Sequence, residues 1–454
     1  MLRYIFSSRY RLSTYILTVL YLFLYDFIFR EYLFPLWRYM GTQYHDISGC
    51  DYIIFLLFGA FPALFYKGLK NVASGISIMI FIFGVLPCYH AVCTMNSLST
   101  GTVLGYAIAF IVCGTMFFMS DSIYLYKKPF ITIRKKFLSI KTVEVITLLM
   151  LALLVITYRS QMTFVNFLED ADKMYDQRAE NSNLSVIGIV LYFRQWLTNG
   201  FFPFLLVIYL QTKNRLKVGL VLLGYLLVFM IEMAKSTFFM PIVILCFYAL
   251  INHRRNIVRY YYSSLLILIT IISLLLLNTY QDNEISYSFA SIFFMRTMCV
   301  EGWLCDLYIP FFENHPFTYF SHINIINFFT QAYPYADSIG RTVSGGTQNA
   351  NAFFLLMDGV AGAGIFGVYF VSVIFIIVKG ILNSISLKYD TNLCVLIFLP
   401  ASIAIINVSL FTSILTCGLL ILYLLFVFVK APMLQRSTGK INSDSTYQNG
   451  LHTS

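Results

Sequence analysis

The stretch GTQNANAFFLLMDGVAGAGIFGVYF, residues 346–370, decides how this chain is read. A polar run from Gly346 to Asn351 gives way to an apolar helix that carries Asp358 and glycines at 359, 362, 364 and 367. About 20 apolar residues are needed to cross a bilayer. A charge at the centre of such a helix costs about 2.5–3.5 kcal/mol on insertion scales, so it faces a partner or a cavity rather than lipid. Glycines let a neighbouring helix approach closely. The stretch therefore reads as a cavity wall with a polar lip, one carboxylate and a close-packed helix. The plainer reading of Asp358 is a structural carboxylate paired inside the bundle.

Composition extends this reading to the whole chain. Hydrophobic residues make up 59% and charged residues 11% of 454 residues, against about 25% charged in soluble domains. Mean hydropathy is +0.76. The expected fold class is all-α: a polytopic integral membrane protein with about twelve transmembrane helices, near 13–29, 51–67, 72–94, 102–120, 142–158, 185–210, 215–232, 236–251, 260–278, 352–378, 391–407 and 410–429. The sixth is long and divides at Asn199-Gly200. One integral domain is expected over 1–434, followed by a disordered cytoplasmic tail over 435–454. The first apolar run reads as an uncleaved signal anchor, because an aromatic belt of Tyr32, Phe34 and Trp37 follows it instead of a cleavage site.

The net charge of +10 does not point to nucleic acid. Most of the 31 Lys and Arg residues fall in alternate loops, the largest group being Lys127, Lys128, Arg134, Lys135, Lys136 and Lys141. That asymmetry predicts both termini in the cytoplasm. Two outer loops are then long. The loop from Arg159 to Ser185 is acidic, and its Asp170-Ala171-Asp172 reads as a solvated face or, less simply, as a divalent-cation ligand. The loop over 279–351 is rich in aromatics, which predicts short helices lying in the membrane interface. Cys299 and Cys305 fall in this loop, and their spacing leaves a disulfide open.

Arg194 lies within a span, where it either snorkels, pairs, or faces an outward cavity. Lys235 lies at a tight outer turn, three residues after Glu232, as a surface ion pair would. The large loop adds Arg296, Glu301, Asp306, Glu313, His315, His322 and Arg341. His315 and His322 are spaced to share one face of an interfacial helix. No Walker motif, GxSxG, HExxH or paired CxxC occurs. No cofactor and no metal site are expected, so any chemistry draws on an energy source already at the outer face.

Three segments carry a family resemblance. These are the block that starts GIVLYFRQWLTNGFFPFLLVIYL at residue 188, FFMRTMCVEGW at 293–303, and NAFFLLMDGVAGAGIFG at 351–367. With the large late outer loop, they resemble the Wzy-type O-antigen polymerases, the oligosaccharide repeat-unit polymerase family, over about half the chain. The resemblance implies an enzyme of the bacterial inner membrane that moves a growing glycan from undecaprenyl pyrophosphate onto a lipid-linked repeat unit at the periplasmic face. It implies that lipid-linked oligosaccharide, membrane lipid, a chain-length regulator and a flippase are partners, and that nucleic acid is not. The related O-antigen ligases carry His-Asn before the apolar stretch; here the position reads Gln348-Asn349.

Such a reaction needs a base to take the acceptor proton and cations to stabilise the leaving diphosphate. Arg194, Arg296, Arg341 and Lys235 are the expected diphosphate ligands. The base is left among Glu301, Asp306 and His322, with Asp358 orienting a cation. The alternatives are a lipid-linked oligosaccharide flippase, another polyprenol-dependent glycosyltransferase, or an O-antigen ligase.

Overall fold

A computed structural model describes residues 2–95, 97–121, 136–160, 162–163, 188–253, 295 and 298–435. The expected span at 260–278, Asp170-Ala171-Asp172, Arg296 and the tail from 436 lie outside the described residues. The described chain is all-helical, with no β-strand.

In chain order the helices are α1 (Leu2–Ile28), α2 (Gly49–Ala60), α3 (Val72–Thr94), α4 (Thr100–Ser120), α5 (Ile140–Tyr158), α6 (188–211), α7 (Arg215–Glu232) and α8 (Lys235–His253). Then follow α9 (Val300–Asn314), α10 (Asn324–Thr330), α11 (Ile339–Val343), α12 (Leu355–Ser386), α13 (Thr391–Asn407), α14 (Leu410–Leu415) and α15 (Leu419–Phe428). Every expected span except 260–278 falls on one or more of these helices. By length and composition, four described helices can cross a membrane: α3, α4, α5 and α12. The last expected span is broken between Leu415 and Leu419, where Gly418, at φ 92°, precedes the first residue of α15.

Short polar side chains start many of the helices. Asn71 accepts from Ser74 N at 2.8 Å, and Ser74 reaches back to complete a capping box. Ser99, Ser139, Asn214 and Asp390 cap α4, α5, α7 and α13 in the same way. α3 forms the axis of the bundle. It is buried along nearly its whole length, with α13 against its first half and α9 against its second. α5 lies at the rim and leaves Val145, Leu148, Leu149, Leu153 and Ile156 exposed. An apolar exposed face of that kind suits lipid, not water.

Proline sets a repeated device. π-turns occupy Phe29–Leu33, Phe81–Val85 and Leu197–Phe201, and each is followed by one residue and then Pro35, Pro87 or Pro203. Proline cannot donate to the preceding turn, and its ring collides with the carbonyl four residues earlier. A widened turn just before it relieves that collision without ending the helix.

Two expectations about packing are corrected. The first described helix of the large loop, α9, is packed into the bundle instead of lying on its surface. Trp303, Tyr308 and Phe312 are buried, and Gly302 brings α9 so close to α3 that a Cβ there would sit 3.0 Å from Pro87 O. The glycines after Asp358 do not chiefly admit another helix. The chain of α12 breaks at Ala363 (φ −161°, ψ 36°) and Gly364 (φ 58°, ψ −138°) and packs against its own preceding turn. A Cβ on Gly367 would overlap Gly359 O, and one on Gly359 would lie 2.9 Å from Val368 Cα.

Gly367→Ala should therefore lower stability by about 3 kcal/mol, because backbone cannot yield as a side chain does. Gly219→Ala, with open space around it in α7, should raise stability by about 0.5–1 kcal/mol. Thermal unfolding of the detergent-purified variants measures both.

Candidate functional site

The break in α12 frees backbone carbonyls, and the segment after α9 takes them. Thr318 N donates to Ala361 O at 2.8 Å and Tyr319 N to Gly362 O at 2.9 Å. The Phe317 ring covers Gly364, and the Phe320 ring covers Gly362. Tyr319 and Phe320 sit at φ 46° and 65°, a left-handed conformation that costs a non-glycine residue roughly 1–2 kcal/mol. The two hydrogen bonds and the two ring contacts hold it.

This clamp delivers His322 to Asp358. His322 Nε2 lies 3.0 Å from Asp358 Oδ1, with the two side chains 5% and 0% exposed. The other carboxylate oxygen, Asp358 Oδ2, accepts from Leu410 N at 2.6 Å, which is the first residue of α14. His322 Nδ1 lies 2.8 Å from Thr318 Oγ1, and that hydroxyl is also 2.9 Å from Ala361 O. Both imidazole nitrogens are engaged. Two proton arrangements satisfy every atom. In one, neutral His322 donates from Nε2 to Asp358 and accepts the Thr318 hydroxyl hydrogen at Nδ1. In the other, the imidazolium donates to both, and Thr318 turns its hydrogen to Ala361 O. Rotation of one hydroxyl therefore decides whether Thr318 donates to His322 or to Ala361 O.

Among the sequence-predicted residues, the structure brings together His322 and Asp358. The expected common helix face of His315 and His322 is corrected, because neither lies on the interfacial helix foreseen for them. His315 follows the last residue of α9 and stacks on Phe311, with ring centroids 4.0 Å apart. Glu301 and Asp306 are buried in α9 on the flank facing α3. Glu301 Oε2 accepts from Phe353 N at 2.7 Å and Asp306 Oδ2 from Gln43 N at 3.1 Å. Each carboxyl leaves its second oxygen without a partner among the described residues. Burial pushes both well above their ordinary values, against the opposing pull of those N–H groups. Their geometry orients the chain ahead of α12 and the loop after α1. Arg341 is exposed on α11, and Gly340 beside it accepts from Ala350 N.

Arg194 lies on α6, next in sequence to Gln195, which belongs to a second polar group. The Arg194 guanidinium carbon lies 5.9 Å from the Tyr158 ring centroid, and its buried Nε has no hydrogen-bond partner among the described residues. Beside it, Gln195 donates to Glu232 Oε1 at 2.5 Å and receives Asn199 Nδ2 at 2.8 Å. The other Glu232 oxygen takes the Thr237 hydroxyl at 2.9 Å. Lys235, partly buried, opens α8 two residues before that threonine. Trp196 Nε1 donates to Leu415 O at 3.1 Å. α14 thus has Asp358 at its first residue and the Arg194 helix at its last, a separation of roughly 8 Å of helix.

Sequence reasoning missed Thr318 and the separation of α14 from α15. The possible sequence signals were Ser409, three residues before Thr412 as an N-cap, and the four-residue spacing of Thr318 and His322. It also missed a buried pair on the other flank. Asp26 Oδ1 binds His90 Nε2 at 2.9 Å, and the Tyr44 and Tyr52 hydroxyls donate to the same carboxylate. As for the cysteines, Cys299 and Cys305 are free thiols, and Cys305 Sγ points to Cys88 O at 3.7 Å. No family model matches this chain, and no curated protein or solved structure does so either.

Asp358→Ala should cost about 3–5 kcal/mol, since it strands a buried imidazole and a backbone N–H. Combining it with His322→Phe should recover part of that loss in a double-variant cycle of unfolding free energies. Glu301 gives a pH test. Its folded carboxyl keeps its proton above the ordinary 4.5, so the folded state binds more protons and stability falls as pH rises past that value. Glu301→Gln should therefore gain on the unaltered protein between pH 5 and pH 8, by up to about 1.4 kcal/mol per pH unit. Melting curves at the two pH values would show it, and parallel curves would contradict it.

Proposed function

We propose that this protein is a glycan polymerase of the bacterial inner membrane. It transfers a growing oligosaccharide from undecaprenyl pyrophosphate to the next lipid-linked repeat unit at the outer face, without nucleotide or metal cofactor. The observation that carries this reading is α14. One short helix ties the buried His322–Asp358 pair to the Arg194 helix, so a proton acceptor and a guanidinium belong to the same end of the bundle. The resemblance of segments 188–251, 293–303 and 351–367 to the Wzy-type polymerases points the same way.

In this reading the acceptor hydroxyl oxygen forms the new bond to the anomeric carbon as the bond from that carbon to the diphosphate breaks. The hydroxyl proton passes to Thr318 Oγ1 as the Thr318 proton passes to His322 Nδ1, and Asp358 stabilises the imidazolium. Arg194 holds the leaving diphosphate through its planar fork, together with Arg296, Arg341 and Lys235. Stabilisation counts where charge develops, so the guanidiniums act on the departing oxygens more than on the bound donor.

A flippase also uses broken helices, whose loose carbonyls and helix ends bind the cargo or its coupling ion. Here the Ala361 and Gly362 carbonyls already accept from Thr318 and Tyr319, which favours a fixed site over a transport path. Complementation of a deletion strain separates the two. With a polymerase, Arg194→Ala and Arg296→Ala leave a single repeat unit on the lipid core and no ladder on a gel, and Arg194→Lys recovers little. Long chains from both alanine variants would refute the reading, and loss of even the first repeat unit would favour the flippase.

A further inference from the structure

α10 carries its side chains the wrong way round for a helix facing water. Phe328 and Phe329 are 76% and 79% exposed, and Ile325 is exposed beside them. Asn327 is instead turned inward, where its Oδ1 accepts from Tyr333 N at 3.2 Å. No charged residue occurs between His322 and Asp337. In the segment just before α10, Tyr319 is largely exposed and Phe320 is turned in.

The position of this apolar face suggests what covers it. Phe320 packs on Phe370 of α12, with ring centroids 5.2 Å apart. Phe366, Phe370, Val373 and Ile377 form an exposed row down α12 at helical spacing, and Phe366 is 84% exposed. α12 is long and apolar enough to cross a membrane. The exposed face of α10 therefore starts at Ile325, five residues after the Phe320 contact that joins it to Phe370 in that row.

We propose that α10 lies on the lipid surface, with Ile325, Phe328 and Phe329 among acyl chains and Tyr319 at headgroup level. Apolar and aromatic side chains on one face, without charge, suit the boundary between headgroups and chains. The anchor sets the depth of His322, two residues before α10, and this does not depend on the glycan reading.

Photo-crosslinking tests the proposal in native membranes. p-Benzoylphenylalanine replaces Phe328, Phe329, Phe366 or Asp337 one at a time, and the irradiated full-length protein is weighed. Phospholipid adducts at 328 and 329, matching those at 366 and absent at 337, are the expected result. An adduct to a second protein chain at 328 or 329 would overturn the proposal in favour of a protein partner. So would unmodified protein at both positions alongside a lipid adduct at 366.

Discussion

The Asp358 carboxylate holds this end of the molecule together. It has no contact with solvent, and each oxygen has one strong partner, His322 on one side and Leu410 N on the other. A buried carboxylate left half satisfied would cost several kcal/mol. Its two partners come from segments far apart in sequence, the loop after α9 and the first turn of α14. One charge thus gathers three pieces of chain around the place where α12 breaks.

The break itself is made affordable by the same neighbours. A helix interrupted in a low-dielectric setting strands carbonyls that water cannot reach. Thr318 and Tyr319 accept that burden through their N–H groups, and aromatic rings fill the space over Gly362 and Gly364. The left-handed Tyr319 and Phe320 are the conformational consequence. Local strain is offset by hydrogen bonds formed elsewhere, a pattern common where backbone geometry serves a site.

Two other ionisable groups inside the bundle, Lys379 and Asp26, are likewise satisfied. Lys379 on α12 reaches Asp121 at 2.7 Å and Ser77 at 2.6 Å, and also Phe117 O. Asp26 is saturated by His90, Tyr44 and Tyr52. Arg194 differs, since its buried Nε has no partner among the described residues. Its guanidinium lies over the Tyr158 ring, while the Glu232 oxygens are occupied by Gln195 and Thr237.

The helical class and most helix positions were legible from the sequence, because apolar run length and short polar caps act locally. The π-turns were legible in principle from Pro35, Pro87 and Pro203, since proline's collision with the preceding turn is also local. The importance of Asp358 could be read from the cost of placing a charge in an apolar helix. Its partner could not, because His322 lies 36 residues away in a loop with no periodic pattern. The same limit explains Glu301 and Asp306: a carboxylate in a polar-looking loop gave no sign that α9 would be buried against α3. Composition and periodicity determined that this chain is a helical bundle with costly charges to satisfy. Only the tertiary structure decided which distant donors satisfy them, because hydrogen bonds of 3 Å between remote segments depend on how whole helices pack.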